Sequence, residues 1–286
     1  MADGQVWTIG SILKWSEQYF GSHGAETPRL DAEVLLSYLL GQQRIFLYVH
    51  FDQPLTAEEL ARYREMVKRR AAGEPVAYIC GEKEFMGLAF KVTPAVLVPQ
   101  PDTETLVGAA IERLKGKGAL RIADVCTGSG AIALALAHYL PESSIIATEI
   151  STEALLIAKG NAENLGLSER VEFREGDLLT PLTGELFDAI VSNPPYIPSA
   201  EIAGLPREVR AEPKIALDGG ADGLDFYRRL VSESAAFLKD GGFLAVECGE
   251  TQAGSIVEMA KGGGFGRMEI VRDLADKERV VVLWKA

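Results

Sequence analysis

From about residue 118 onward, short apolar runs of strand character take turns with segments of helical spacing. Residues 120–125 form an apolar run, Ala131–Tyr139 has helical composition, and residues 145–148 are apolar again. Ser151, a residue type that caps helices, opens a helical stretch through Asn164. Residues 171–174, 189–192, 226–238, 243–248, 256–261 and 280–284 continue the series. Strands separated by helices need crossover connections, so the expected fold class is α/β, a mostly parallel sheet with helices on both faces. Ligands of such sheets sit beyond the carboxyl ends of the strands.

The first part of the chain has a different period. Residues 5–73 read as short helices, without a glycine loop or a titratable cluster. Thr27-Pro28 sets a capping hydroxyl before a first-turn proline, Leu30, Val34, Leu35, Tyr38 and Leu39 recur at helical spacing, and Gly41 ends the run. Thr56-Ala57-Glu58-Glu59 is a capping box, with Leu60, Tyr63 and Val67 following on one face. Lys68-Arg69-Arg70 reads as a solvated helix end favoured by the helix dipole. Residues 71–75 break the helix, and 78–85 with 88–92 flank Met86-Gly87 as a hairpin. The expected organisation is a helical domain over 1–73, a hairpin linker over 74–100 and the α/β domain over 101–286.

Charge and cysteine content narrow the partners. The formal net charge is −12, of which −2 falls in the first 80 residues and −10 in the rest. A chain that grips a phosphate backbone shows a basic stripe, so direct binding of long nucleic acid is not expected. Cys80, Cys126 and Cys248 lie far apart with no CxxC pair, which argues against a disulfide framework or a metal site and suits a reducing compartment. The opening MADGQVWTIG has neither a basic start nor an apolar core, and residues 125–141 are too short and too polar to span a bilayer. The expectation is a cytoplasmic protein with no metal and no membrane partner.

Two segments carry chemistry. Asp124-Val125-Cys126-Thr127-Gly128-Ser129-Gly130 lies where the first strand of the series meets its helix, and glycines there allow a sharp turn and close approach of a ligand. Glu149 closes the next strand, where an acid can accept from both ribose hydroxyls of an adenosine, and Asp177 is placed after the third to meet an adenine edge. The glycine spacing alone also fits the dinucleotide fingerprint of dehydrogenases. Ser192-Asn193-Pro194-Pro195-Tyr196 follows the strand at 189–191. Pro194 and Pro195 offer carbonyls and no N–H, and Asn193 adds an amide oxygen. Two acceptors and few donors select a planar NH2 group rather than a carbonyl oxygen, and Tyr196 can lay its ring on that group. A nitrogen so held can attack an activated methyl group, which a dehydrogenase reading leaves unexplained.

With these motifs in view, the chain resembles the release factor glutamine methyltransferases over almost its whole length. The resemblance is carried by Pro75-Val76-Ala77-Tyr78-Ile79-Cys80-Gly81, Glu84-Phe85-Met86-Gly87, Val98-Pro99-Gln100-Pro101-Asp102-Thr103-Glu104, the glycine loop, Asn193 to Ile197, Glu212-Pro213, Ala216-Leu217, Asp222-Gly223-Leu224-Asp225 and Arg279-Val280-Val281. It implies a seven-stranded Rossmann-like methyltransferase sheet behind a small helical N-terminal domain; residues 1–73, which lack a chemical motif yet precede a complete catalytic domain, are expected to dock substrate. It implies S-adenosylmethionine as cofactor and N5-methylation of the glutamine in the Gly-Gly-Gln motif of peptide-chain release factors, the partners expected. By position, the family's cofactor residues fall on Cys126, Thr127, Gly128, Ser129, Gly130, Glu149, Leu178 and Asn193, and its substrate-amide residues on Asn193, Pro194, Pro195 and Tyr196. This sequence departs from the family pattern at Cys126, where glycine is common, at Glu149, where aspartate is usual, and at Gln100, where arginine is usual. A sibling enzyme acting on a ribosomal protein glutamine would share nearly every one of these motifs.

Overall fold

The computed structural model describes residues 6–286; the first five residues of the stretch read for targeting lie outside them. The chain divides into two compact units, Met1–Gly81 with Pro206–Ala211, and Glu82–Leu205 with Glu212–Ala286.

The first unit contains α1 (Ile9–Ser22), α2 (Pro28–Leu40), α3 (Arg44–Val49), α4 (Ala57–Ala71) and α5 (Val76–Cys80). Its core is built from Ile9, Ile12, Phe20, Leu35, Leu36, Tyr63 and Val67, and the Tyr63 hydroxyl donates to the Ala32 carbonyl at 3.1 Å. The Thr56 capping box forms as expected, with Thr56 Oγ1 accepting from the Glu59 amide and the Glu59 carboxylate from the Thr56 amide. Other details differ from the sequence reading. On α2, Leu35 is buried but Leu30 and Tyr38 are exposed, and the inward face instead holds Ala32, Leu36, Asp31 and Glu33. Two carboxylates can turn inward because each meets its donors there. Thr27 stands at the N-cap, yet its hydroxyl donates to Asp31 at 2.8 Å rather than accepting from the helix. Glu33 accepts from Arg29, Arg44 and Tyr48.

Arg70 is not the solvated cap that its basic run suggests. It is 5% exposed and pairs through Nε with Asp31 at 2.7 Å and through a terminal nitrogen with Glu208 at 2.8 Å. Residues 76–80 form a helix and not the start of a hairpin strand: Pro75 stands before the first turn and Gly81 ends it at φ +78°.

The second unit opens with a hairpin, β1 (Glu82–Phe85) and β2 (Leu88–Lys91), turned by Met86 and Gly87 at φ +50° and +72°. Then come α6 (Pro101–Leu114), β3 (Arg121–Val125), α7 (Ala131–Tyr139), β4 (Ser144–Glu149), α8 (Thr152–Asn164), β5 (Val171–Glu175) and β6 (Phe187–Ser192). The chain returns to the first unit for the short α9 (Arg207–Arg210). It finishes with α10 (Asp225–Glu233), β7 (Leu238–Glu247), α11 (Ala253–Ala260), β8 (Phe265–Arg272) and β9 (Glu278–Lys285).

One seven-stranded sheet results, in the order β5-β4-β3-β6-β7-β9-β8. β3 to β7 pair in parallel, whereas β9 is antiparallel to both β7 and β8. Alternation of side chains along each strand splits the core between the two faces. Ile122, Ala189, Val191, Phe243 and Val282 pack with Leu106 and Ala110 of α6 and Leu134 of α7. Ala123, Val125, Ile190, Leu244 and Val281 pack with Tyr227 and Leu230 of α10 and Ile256 of α11.

Besides the short α9, two elements of the second unit, α6 and β8, were not read from the sequence. α6 starts with Pro101 in its first turn, a position where the missing N–H costs nothing, and it buries Thr103, Leu106, Val107 and Ala110. β8 is the edge strand beyond β9, and most of its residues are half-buried or exposed, so it offers no apolar run. Strand order reverses at β3 and β6: the chain first moves outward through β4 and β5, then crosses to the other side of β3. A crevice opens at that switch point, above the carboxyl ends.

Candidate active site

A cavity of about 340 Å³ lies at this edge of the sheet. Its floor begins where β3 ends. Cys126, Gly128 and Gly130 all have left-handed backbones, at φ +64°, +55° and +82°, so the chain reverses within five residues and enters α7 at Ala131. Beneath the turn, the buried Asp124 Oδ2 accepts from the Thr127 hydroxyl at 2.5 Å and the Ala133 amide at 3.0 Å. Burial pushes the Asp124 carboxyl up to about 7. The Ser129 carbonyl takes the Asn161 amide at 2.9 Å, and a Cβ on Gly130 would stand 3.1 Å from Leu134 and 3.2 Å from Ala158. Thr127, Ser129 and Gly130 thus shape the loop without lining the cavity, whose wall here is Cys126 and Gly128. A Cβ on Gly128 would meet no protein atom within 4 Å.

Glu149, at the end of β4, faces the same cavity. Its Oε2 accepts from the Gly128 amide at 3.0 Å, and Oε1 from the amides of Ile150 at 2.9 Å and Ser151 at 3.0 Å. Its hydrogen-bond partners among the described residues are backbone groups, which leaves lone pairs for hydroxyls of a ligand. After β5, Asp177 also lines the cavity and is held by Arg229 of α10 through two bonds of 2.7 and 3.1 Å. Leu178, at φ +47°, stands beside it on the wall and gives its carbonyl to the Thr148 hydroxyl at 3.0 Å. Ile150 and Phe226 add apolar surface on which a flat ring can lie, and Val96, Leu97, Pro213 and Ile215 complete the wall. The loop at Val96 to Val98 is fixed by Glu212, whose Oε2 accepts from the Val98 amide at 2.7 Å. Leu178 and Pro213 were marked by the family resemblance; Val96, Leu97, Ile150, Ile215, Phe226 and Arg229 were not singled out as site residues in the sequence.

The segment after β6 brings the second chemistry to the same place. Ser192 anchors it by donating to the Val125 carbonyl at 2.7 Å. Asn193 and Pro195 line the cavity; Pro194 and Tyr196 do not. Asn193 donates through Nδ2 to Thr103 Oγ1 of α6 at 3.1 Å. The Tyr196 carbonyl takes the Gln252 amide at 2.9 Å, and its phenol reaches Glu247 Oε1 at 3.5 Å. Gly219 lies so close that a Cβ there would be 2.7 Å from the Tyr196 Cα, so only glycine fits. Glu247 was not singled out in the sequence, although an acid closing the apolar run of residues 243–246 is a readable signal. It is 2% exposed at the end of β7, and burial pushes its carboxyl up to about 7, opposed by the nearby Thr103 hydroxyl and Arg279 guanidinium.

A mixed sheet of this order, a glycine turn after β3, an acid closing β4 and Asn-Pro-Pro-Tyr after β6 together define a Rossmann-like methyltransferase. Comparison with known proteins agrees: residues 11–81 match the family model of the PrmC N-terminal domain, and residues 103–204 that of the methyltransferase small domain. The chain is 47% identical to the release factor glutamine methyltransferase of Moorella thermoacetica over 97% of its length and 99% of the relative's. It is 46% identical to that of Geobacter sulfurreducens, over 97% of this chain and 96% of the relative. A methyltransferase from Pyrococcus furiosus, 19% identical, superposes with a TM-score of 0.54 over 81% of this chain and 100% of that one, a likeness of fold. The chain belongs to the release factor glutamine methyltransferase family.

Proposed function

We propose that this chain transfers the methyl group of S-adenosylmethionine to the side-chain amide nitrogen of the glutamine in the Gly-Gly-Gln motif of peptide-chain release factors. One observation carries the reading: Asn193 and Pro195, from a segment rich in acceptors, stand on the wall of the same cavity as Gly128 and Glu149. The residues present fit a nucleoside cofactor. Glu149 has acceptor capacity for vicinal hydroxyls, Ile150, Leu178 and Phe226 offer an apolar bed for a purine, and Asp177 offers an acceptor at its edge. Cys126 and Gly128 let the backbone approach closely, while Thr127, Ser129 and Gly130 hold that backbone in shape.

S-adenosylmethionine supplies a methyl group made electrophilic by a sulfonium. The protein's part is to hold the amide nitrogen. Asn193 Oδ1 and the Pro194 carbonyl accept its two N–H groups, and Pro195 and Tyr196 keep that segment rigid. Alignment of this kind is worth roughly 7–11 kcal/mol of a barrier when it is complete. With the cofactor bound, the nitrogen held by Asn193 and Pro194 would take the methyl group from the sulfonium and shed one N–H proton to water. Among the described residues no cluster of His, Cys, Asp and Glu is arranged to hold a metal ion.

The helical residues 1–73 are assigned to substrate docking. They carry no chemical motif, and Ile45, Tyr48 and Val49 of α3 are at least half exposed. Release factors are favoured over a ribosomal protein because relatives matched over nearly the full length bear the release factor name. The test is a labelled-methyl assay with purified release factor, using the wild-type protein and Asn193→Ala, with calorimetry against S-adenosylmethionine and NAD in parallel. Transfer by the wild type, its loss in Asn193→Ala and binding of S-adenosylmethionine but not NAD are expected. Binding of NAD alone, or transfer that survives Asn193→Ala, would overturn the reading.

A further inference from the structure

The Asn-Pro-Pro-Tyr segment has to be held still, and it offers little to hold it by. Pro194 and Pro195 have no N–H, so no backbone donor of theirs can tie them down. The segment starts from Ser192, whose hydroxyl donates to the Val125 carbonyl at 2.7 Å. It ends at the peptide joining Tyr196 to Ile197. On one side of that peptide the Ile197 amide donates to the Leu217 carbonyl at 2.9 Å. On the other, the Tyr196 carbonyl accepts from Gln252 Nε2 at 2.9 Å.

Gln252 stands just before α11, in the loop that follows β7, the strand next to β6. Both polar atoms of its side-chain amide are engaged. Nε2 donates to the Gly223 carbonyl at 3.2 Å as well as to Tyr196, and Oε1 accepts from the Gly249 amide at 3.0 Å. Backbone groups therefore decide which way this amide faces. Flipped, it would set its oxygen against two carbonyls and its NH2 against an N–H. A second bond, from the Gln252 backbone amide to the Gly249 carbonyl at 3.0 Å, closes the ring around the side chain. The space is cut to fit: a Cβ on Gly223 would stand 2.3 Å from the Tyr196 oxygen and 2.7 Å from Gln252 Nε2. The Gly223 turn is also held without Gln252, by the Asp225 amide on the Gly219 carbonyl at 3.1 Å and the Leu224 amide on Asp222 at 3.2 Å. Among the described residues the Tyr196 carbonyl has no such second bond, so loss of the glutamine amide falls on Tyr196.

We propose that Gln252 is a positioning residue for methyl transfer, which fixes the Tyr196 peptide and through it the direction in which Asn193 and the Pro194 carbonyl face the target amide. The Pro195 ring locks its own φ, so few torsions separate the clamped Tyr196 carbonyl from the Pro194 carbonyl. Gln252 itself does not line the cavity. The proposed cofactor residues Gly128, Glu149, Asp177 and Leu178 follow or close β3, β4 and β5, whereas Gln252 follows β7. Its effect therefore belongs to the target nitrogen and not to the cofactor.

This inference rests on the proposed role of Asn193, and the test separates the two. Gln252→Met keeps the length of the side chain and removes its donors, and Gln252→Glu keeps the shape but sets an oxygen against two carbonyls. A misplacement near the reacting atoms can cost about 100-fold, and here Ile197 still holds one side of the peptide. With release factor as substrate, Gln252→Met is expected to lower kcat about tenfold and Gln252→Glu more, while KM and cofactor affinity stay within about threefold. Because Gln252 acts through the segment, adding Gln252→Met to Asn193→Ala should cost less than the factor it costs alone. Should neither variant fold, Gln252→Asn suits the helix cap yet is too short to reach Tyr196, and it carries the same test. A merely structural role would lower the cofactor bound per chain in step with kcat. That outcome, unchanged kcat in a folded Gln252 variant, or a fully additive loss in the pair would overturn the inference and leave the role of Asn193 standing. Normal turnover in Asn193→Ala would instead remove the reading beneath it.

Discussion

Glu149 accepts three backbone N–H groups and faces the cavity, so it does two things at once. Glu149→Gln keeps the shape but turns one acceptor into a donor. Since a hydrogen bond to a charged acceptor is worth about 1.5–3 kcal/mol, cofactor affinity measured by calorimetry is expected to fall at least about tenfold. Unchanged affinity in a folded variant would remove Glu149 from the cofactor site. Cys126 gives a physical reason for the family's glycine: its φ of +64° is a conformation that costs an L-residue roughly 1–2 kcal/mol. Residue types at strand ends were legible because an acid or a glycine there has few other uses. The contact of Asn193 with Thr103 was not, because the two lie 90 residues apart in sequence and only the fold brings α6 to the end of β6.

At the scale of elements, the segment at Pro206–Ala211 belongs to the first compact unit although it follows Asn-Pro-Pro-Tyr in sequence. Arg70 binds it by pairing with Glu208 while also neutralising the buried Asp31. Arg70→Leu strands Asp31 and is expected to cost about 3–5 kcal/mol in the stability of this unit. Faster hydrogen exchange at residues 206–211 should accompany the loss; exchange as slow as in the wild type would show that the ion pair does not hold the segment. α3 carries the docking assignment. Ile45→Ser with Val49→Ser, both exposed side chains, should raise KM for release factor and leave cofactor affinity unchanged, whereas an unchanged KM would exclude this helix from docking. Helix and strand periods made most elements readable. The inward face of α2 was not, because Asp31 and Glu33 are buried by partners on α3 and α4 that periodicity does not record. β8 was missed because an edge strand half in solvent carries no continuous apolar run.

Across the whole molecule, three buried carboxyls share one pH signature. Asp124, Glu212 and Glu247 are pushed up to about 7 by burial, from ordinary values of 3.8, 4.5 and 4.5. The folded state therefore holds more protons than the unfolded one between those limits. The stability these groups contribute is full below their unfolded values and is lost as pH rises through about 7. The urea midpoint is expected to be higher at about pH 6 than at about pH 8, and Glu212→Gln should flatten part of the difference. A midpoint that rises over this interval would contradict the assignment. Among the described residues no helix is long and apolar enough to cross a membrane.

The α/β class and the seven-stranded sheet followed from alternation and from family resemblance, since each strand's burial is written in its own residues. On the reading proposed for Asn193 and Pro194, the site specifies its target only as a planar NH2 group. Release factor and ribosomal proteins should therefore be offered together with the enzyme and labelled S-adenosylmethionine, and the label located by fragmentation mass spectrometry. The label is expected on the side-chain amide nitrogen of the Gly-Gly-Gln glutamine of the release factor, one methyl per chain. Label on a ribosomal protein glutamine with the release factor untouched, or on any atom other than that amide nitrogen, would contradict it.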